Sequence, residues 1–176
     1  MKIQNNAMTL SFDSGQFDKG KATAIRTVQD LAEVWKKAPD PADDRVVYHT
    51  YGMSSDDTET PQLRFSTTVI EPGTVHGEYF MTRGHFHTNS EREEFMLVLS
   101  GTGELVLRDR IGKAWTEPLG PGFTCVIDGK FAHRLVNTGE EPLIVMVVWQ
   151  SDCGHDYAVI QRLGFGIRLK QNEDDD

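Results

Sequence analysis

From Arg45 onward the chain is written in short apolar runs broken by turn residues. The runs "RVVYHTY", "LRFSTTVI", "EYFMT", "EEFMLVL", "GELVLRD", "FTCVI", "AHRLVN" and "PLIVMVVWQ" follow one another, separated by "EPG", "SGTG", "LGPG", "DGK" and "NTGEEP". Apolar and polar positions alternate in several of them, the period of a strand that turns one face to a core. Strands spaced this closely, with no helix between them, predict an antiparallel sandwich or small barrel rather than a parallel α/β sheet.

One stretch follows a different period. In "TVQDLAEVWKK", Val28, Leu31, Ala32 and Trp35 recur at i, i+3, i+4 and i+7, which predicts an amphipathic helix. Thr27 can cap it, Asp30 stands at the capping-box position, and "APDP" ends it. The expected fold is therefore all-β with a short N-terminal helix. Residues 1–44 form a segment whose helix packs on the barrel, 45–168 form the barrel, and 169–176 form an acidic tail expected to be disordered.

Composition narrows the function. A chain of 176 residues suits one domain, and 38% hydrophobic with 26% charged residues is ordinary for a soluble globular protein. The net charge of -9, with no basic cluster, argues against nucleic acid and anionic membranes as partners. The start "MKIQNNAMTLSFDSG" has no signal-like apolar core, and no stretch is long enough to span a bilayer. A cytoplasmic protein is expected, with Cys125 and Cys153 as free thiols.

The candidate chemistry lies in "MTRGHFHTNSEREEFMLVLSGTG", Met81 to Gly103. On a strand, His85 and His87 would share a face, roughly 7 Å apart at the backbone. Glu91, Glu93 and Glu94 compete as a carboxylate partner, and Glu94 leads directly into the apolar run. His133 follows a turn and precedes alternating Leu135, again a strand position. Two or three imidazoles and a carboxylate suit a divalent transition metal with positions left open for substrate.

These stretches resemble the two motifs of the cupin superfamily: His85, His87, Glu94 and Gly101 in the first, Gly122, His133 and Asn137 in the second. Tyr79 stands where the first motif begins with Gly, six residues separate His87 from Glu94, and Asp128 and Lys130 replace the usual Pro and Gly. The longer gap is similar to that of the cupin-type phosphoglucose isomerases first associated with archaea. Their signature resembles "TTV" (Thr67 to Val69), "FMTRGHFH", Glu94, "AHRLVNTG" and "DCGHDY".

The resemblance implies a cupin jelly-roll barrel, a homodimer, and interconversion of glucose 6-phosphate and fructose 6-phosphate through a cis-enediol or a metal-assisted hydride shift. Carried over by position, it makes His85, His87, Glu94 and His133 the ligands of one divalent metal per subunit: iron, or else manganese, nickel, cobalt or zinc. It places Tyr48, Thr68, Thr82, Gly84 and Tyr157 around the sugar phosphate. Glu94 is then the acid–base group, and His155 is a second catalytic candidate for ring opening or proton shuttling. Trp149 stands near where that family would have a tyrosine, and it cannot act as an acid. Two other classes share such motifs: a metal-dependent cupin oxygenase and a sugar-binding cupin without catalysis.

Overall fold

A computed structural model describes residues 7–19, 21–52 and 61–171. Its strands are β1 (Lys21–Thr27), β2 (Val46–Gly52), β3 (Leu63–Ile70), β4 (Thr74–Val75), β5 (Glu78–Tyr79), β6 (Glu94–Ser100), β7 (Gly103–Arg108), β8 (Ala114–Leu119), β9 (Thr124–Ile127), β10 (Ala132–Asn137) and β11 (Leu143–Gln150). All the pairings are antiparallel: a six-stranded sheet β1-β2-β3-β11-β6-β9, a three-stranded sheet β10-β7-β8 and a small β4-β5 ribbon. The antiparallel all-β architecture expected from the apolar runs is what the chain forms.

Alternation decides which side chains enter the barrel. Ile70, Val145, Val147, Met96, Val98 and Ile127 point inward and are buried, joined by Leu105, Leu107 and Leu135 from the smaller sheet. Fully burying each large aliphatic side chain contributes roughly 1.5–3 kcal/mol. At one end the same inward face turns polar: Arg64 on β3, Trp149 on β11 and Glu94 on β6 lie in one cross-strand row. The apolar packing below that row holds it in place.

Two sequence expectations change. The N-terminal helical element is a single 3-10 turn, Gln29–Leu31, and not a helix along the whole of 27–37. Val28, Leu31 and Val34 are buried at a period of three, while Ala32 is exposed, so the 3-10 repeat presents the apolar side chains better than an α-helix would. The Thr27–Asp30 capping pair forms as expected, with Thr27 N–H donating to Asp30 (2.9 Å) and Asp30 N–H donating to the Thr27 hydroxyl (3.2 Å). The second change is at the other end, where an α-helix, α1 (Tyr157–Leu163), follows Asp156 as its N-cap. Most of the acidic tail, residues 172–176, lies outside the described residues.

Candidate metal centre

The segment carrying His85 and His87 is not a regular strand. It runs beside β10 through single bridges, Met81 to Val136 and His85 to His133, and Phe86 then bridges to Asp156. Gly84 causes the interruption. Its φ is +73°, and a Cβ there would lie 2.6 Å from the Phe165 ring and 2.9 Å from the His133 carbonyl oxygen. Only glycine lets the backbone bend this close to β10. Beyond the bend, His85 and His133 exchange both backbone hydrogen bonds (3.3 and 3.1 Å), so their rings are set side by side.

His87 completes the group from a buried position, its Nδ1–H donating to the Arg92 carbonyl at 2.6 Å. That bond leaves Nε2 as the free lone pair. The Arg92 guanidinium makes a bidentate pair with Asp152 (2.8–3.0 Å), tying the loop that carries this carbonyl to the turn that carries His155. Glu94 opens β6 and is buried, whereas Glu91 and Glu93 are exposed in the preceding turn. Of the three competing carboxylates, only Glu94 points into the barrel.

Ligand atoms of His85, His87, Glu94 and His133 all lie within 4.8 Å of one another. The Glu94 carboxylate is 3.8 Å from His87 Nε2 and 3.7 Å from His133 Nε2, too long for hydrogen bonds. Nε2 of His85, His87 and His133 is buried in each case without a hydrogen-bond partner among the described residues. Leaving three buried polar atoms unsatisfied at one point is costly, and a cation at their focus would satisfy all three. The residues present thus fit a divalent metal ion.

Electrostatics point the same way. Burial pushes the Glu94 carboxyl up to about 8. Burial, with a smaller contribution from neighbouring His87, pushes His133 down to about 3, and His85 is likewise held well below its ordinary value. Near pH 7 the metal-free centre therefore holds neutral His85 and His133 and a mostly protonated Glu94. A bound proton on Glu94 competes with the metal, so below a pKa of about 8 the affinity must rise with pH. Uptake of Mn²⁺ or Co²⁺ at pH 7 should release close to one proton, and the apparent affinity should rise roughly tenfold per pH unit until about pH 8, then level off. Calorimetry in buffers of different ionisation enthalpy measures this directly. Metal binding with no proton released would mean that Glu94 does not take part.

The other sequence-derived residues gather around one cavity of about 1310 Å³, lined by His85, Glu94 and His133 and also by Tyr48, Thr68, Thr82, Gly84, His155 and Tyr157. The His155 ring stands 4.3 Å from that of His85, and Tyr157 stands 5.6 Å from it. Desolvation at the cavity wall, with a smaller contribution from His87, lowers the His155 pKa. The Thr82 hydroxyl accepts a hydrogen bond from Leu135 N–H (3.1 Å), so its position is fixed. Sequence reasoning missed Arg26, which enters the cavity from β1, and gave no role to Trp149, which lies cross-strand from Glu94. Arg83 pairs with Glu33 (3.1 Å) and lies over the Tyr157 ring.

Comparison with known proteins agrees with this arrangement. A family model described as glucose-6-phosphate isomerase matches residues 19–175. The glucose-6-phosphate isomerase of Pyrococcus horikoshii is 36% identical over 170 residues, covering 93% of this chain and 88% of that one. Those of Thermococcus litoralis and Pyrococcus furiosus are 35% and 34% identical over the same coverage. Among solved structures, oxalate decarboxylase from Bacillus subtilis superposes with a TM-score of 0.48 at 22% identity, over 61% of this chain and 26% of that one. With the family model matched over nearly its whole length, and relatives above 30% identity over nine-tenths of it, the chain belongs to the glucose-6-phosphate isomerase family.

Proposed function

We propose that this protein interconverts glucose 6-phosphate and fructose 6-phosphate as a metal-dependent aldose–ketose isomerase. The observation that carries the reading is the focus of three unpartnered imidazole Nε2 atoms and one buried carboxylate inside a cavity whose walls bear hydroxyls and arginines. His85, His87, Glu94 and His133 would hold one divalent metal, with iron first among the ions that a nitrogen and oxygen set accepts. When bound, the metal supplies Lewis-acid stabilisation of the charge that builds on the sugar oxygens.

The remaining work falls to the chain. Isomerisation takes a hydrogen from C2 and places it on C1, with the opposite change for the reverse reaction. Among the described residues lining the cavity, Glu94 is the one carboxylate, which supports it as the group that carries that proton between carbons. His155, beside His85, is positioned to accept and return the hydroxyl proton during ring opening. Trp149 holds a cavity wall and transfers no proton, so no step depends on a tyrosine there. Tyr48, Thr68, Thr82, Gly84 and Tyr157 surround the phosphate-bearing end of the substrate.

The reading includes a homodimer in the cytoplasm. Phe95 and Val126, directly opposed on β6 and β9, are 40% and 59% exposed on the outer face of the six-stranded sheet, and Leu63 on the same face is 64% exposed. An apolar patch of this kind supports association of two copies through that face. Both cysteines are free thiols, which supports a reducing compartment.

One experiment tests the function. The purified protein, stripped and reloaded with Fe²⁺ or Mn²⁺, is assayed in coupled reactions in both directions. Turnover of both hexose phosphates, lost with chelator and restored by metal, is expected. Oxygen consumption with no isomerisation would move the protein to the oxygenases, and tight sugar phosphate binding without turnover would make it a sensor.

A further inference from the structure

A dianionic substrate must enter a protein of net charge -9, and the cavity needs a cation where the phosphoryl group comes to rest. Arg26, Arg64, Arg83, Lys19 and Lys21 line the cavity; Arg64 stands in the Trp149–Glu94 row, and Arg26 and Arg83 are the two arginines beside Tyr48 and Tyr157. Arg83 is already engaged: its Nε pairs with Glu33 at 3.1 Å, its Nη2 donates to the Asp30 carbonyl at 2.7 Å, and its guanidinium lies 5.6 Å from the Tyr157 ring centre. Arg26 is different. Its hydrogen bond runs from Nη1 to the carbonyl of neighbouring Ile25 (2.9 Å); Asp30 is near enough to feel its charge, but no carboxylate of the described residues lies within ion-pair distance.

The fold aims Arg26 inward. It sits on β1 directly opposite Tyr48 on β2, and residues opposed in an antiparallel pair share a face. Both line the cavity, together with Thr68 and Thr82. Arg26 is near enough to both tyrosine hydroxyls, Tyr48 and Tyr157, to favour their ionised forms electrostatically, although burial outweighs this and raises both pKa values. A half-buried guanidinium with spare donors, among hydroxyls and next to an arginine that is already paired, suits a phosphoryl oxygen pair. A guanidinium binds such a pair bidentately.

We propose that Arg26 is the residue that grips the phosphoryl group of the substrate, while Arg83 acts as the brace that positions Tyr157. This rests on the sugar phosphate reading above. Binding to a part of the substrate that does not react contributes equally to ground and transition states, so its loss falls on KM more than on kcat.

The test uses the metal-loaded enzyme and two readouts. Arg26→Met should raise KM for fructose 6-phosphate at least about tenfold, with a much smaller fall in kcat, and Arg26→Lys should recover part of the loss. Inorganic phosphate should compete with the substrate in the wild type, and its inhibition constant should rise in parallel in Arg26→Met. Thermal stability should hold, because β1 is an edge strand with an exposed side chain pattern. A folded Arg26→Met enzyme with unchanged KM and unchanged phosphate inhibition would overturn the proposal. So would a KM effect confined to Arg83→Met. Wild-type protein that binds phosphate in an Arg26-dependent way, yet isomerises neither hexose phosphate, would instead fault the substrate reading and leave the anion grip standing.

Discussion

Exchanging His85, His87 or His133 for alanine is expected to empty the metal centre and stop isomerisation while the barrel stays folded. Each imidazole contributes one of three buried nitrogens that have no hydrogen-bond partner among the described residues. Loss of a partner behind a ligand typically costs 10–100-fold in metal affinity, so loss of the ligand itself should exceed about 100-fold. The fold should survive because the local structure at His85 and His133 rests on their backbone bonds to each other, which alanine keeps. At His85 and His133, removing an unsatisfied buried nitrogen should leave the metal-free protein about as stable as before, whereas His87→Ala also gives up the hydrogen bond to the Arg92 carbonyl and should melt somewhat lower while still folding. Metal content by plasma emission, turnover, and thermal melts with and without metal check all three parts. Full metal occupancy in any two of these variants would show that the ion sits elsewhere.

How far the sequence foretold this centre depends on what kind of signal each part left. The strands β3 and β10 were legible residue for residue in "LRFSTTVI" and "AHRLVN", because most of their residues are buried, in β10 even though it is a sheet edge. Strands β1 and β8 were not. Both are sheet edges: "KATAIRT" is mostly exposed, and "AWTEPL" carries Pro118 where an edge strand tolerates it. Without one buried face there is no alternation to read, so Arg26 was missed with its strand. The four candidate ligands stand in motifs with fixed spacing and could be picked out in the sequence. Their convergence depends on the bend at Gly84 and the pairing of His85 with His133, which are long-range events that leave no local pattern. The α1 helix was missed because it is seven residues long and buries one side chain, Ile160, too little for a helical period to show. Its Asp156 cap sits inside "DCGHDY", a stretch read for its histidine and tyrosine.

Glu94→Gln should be the most damaging conservative change in the molecule, lowering kcat at least about 100-fold. The substitution keeps shape and volume but removes a charged ligand and, in the same step, the carboxylate proposed to carry the proton between C2 and C1. Glu91→Gln and Glu93→Gln act as controls: both side chains are exposed in the turn before β6, and turnover should stay within a few-fold. The two losses at Glu94 can be separated. If the residue were a ligand alone, excess metal that refills Glu94→Gln would restore most of the activity. If it also moves the proton, the refilled variant stays slow, and wild-type turnover in D₂O places deuterium at C2 of glucose 6-phosphate while the variant does not. Rapid isomerisation by the refilled Glu94→Gln enzyme, with the substrate hydrogen fully retained on the sugar, would assign the transfer to a direct hydride passage and leave Glu94 as a ligand. A crippled Glu91→Gln enzyme beside an active Glu94→Gln enzyme would put the register of the whole site in error by three residues.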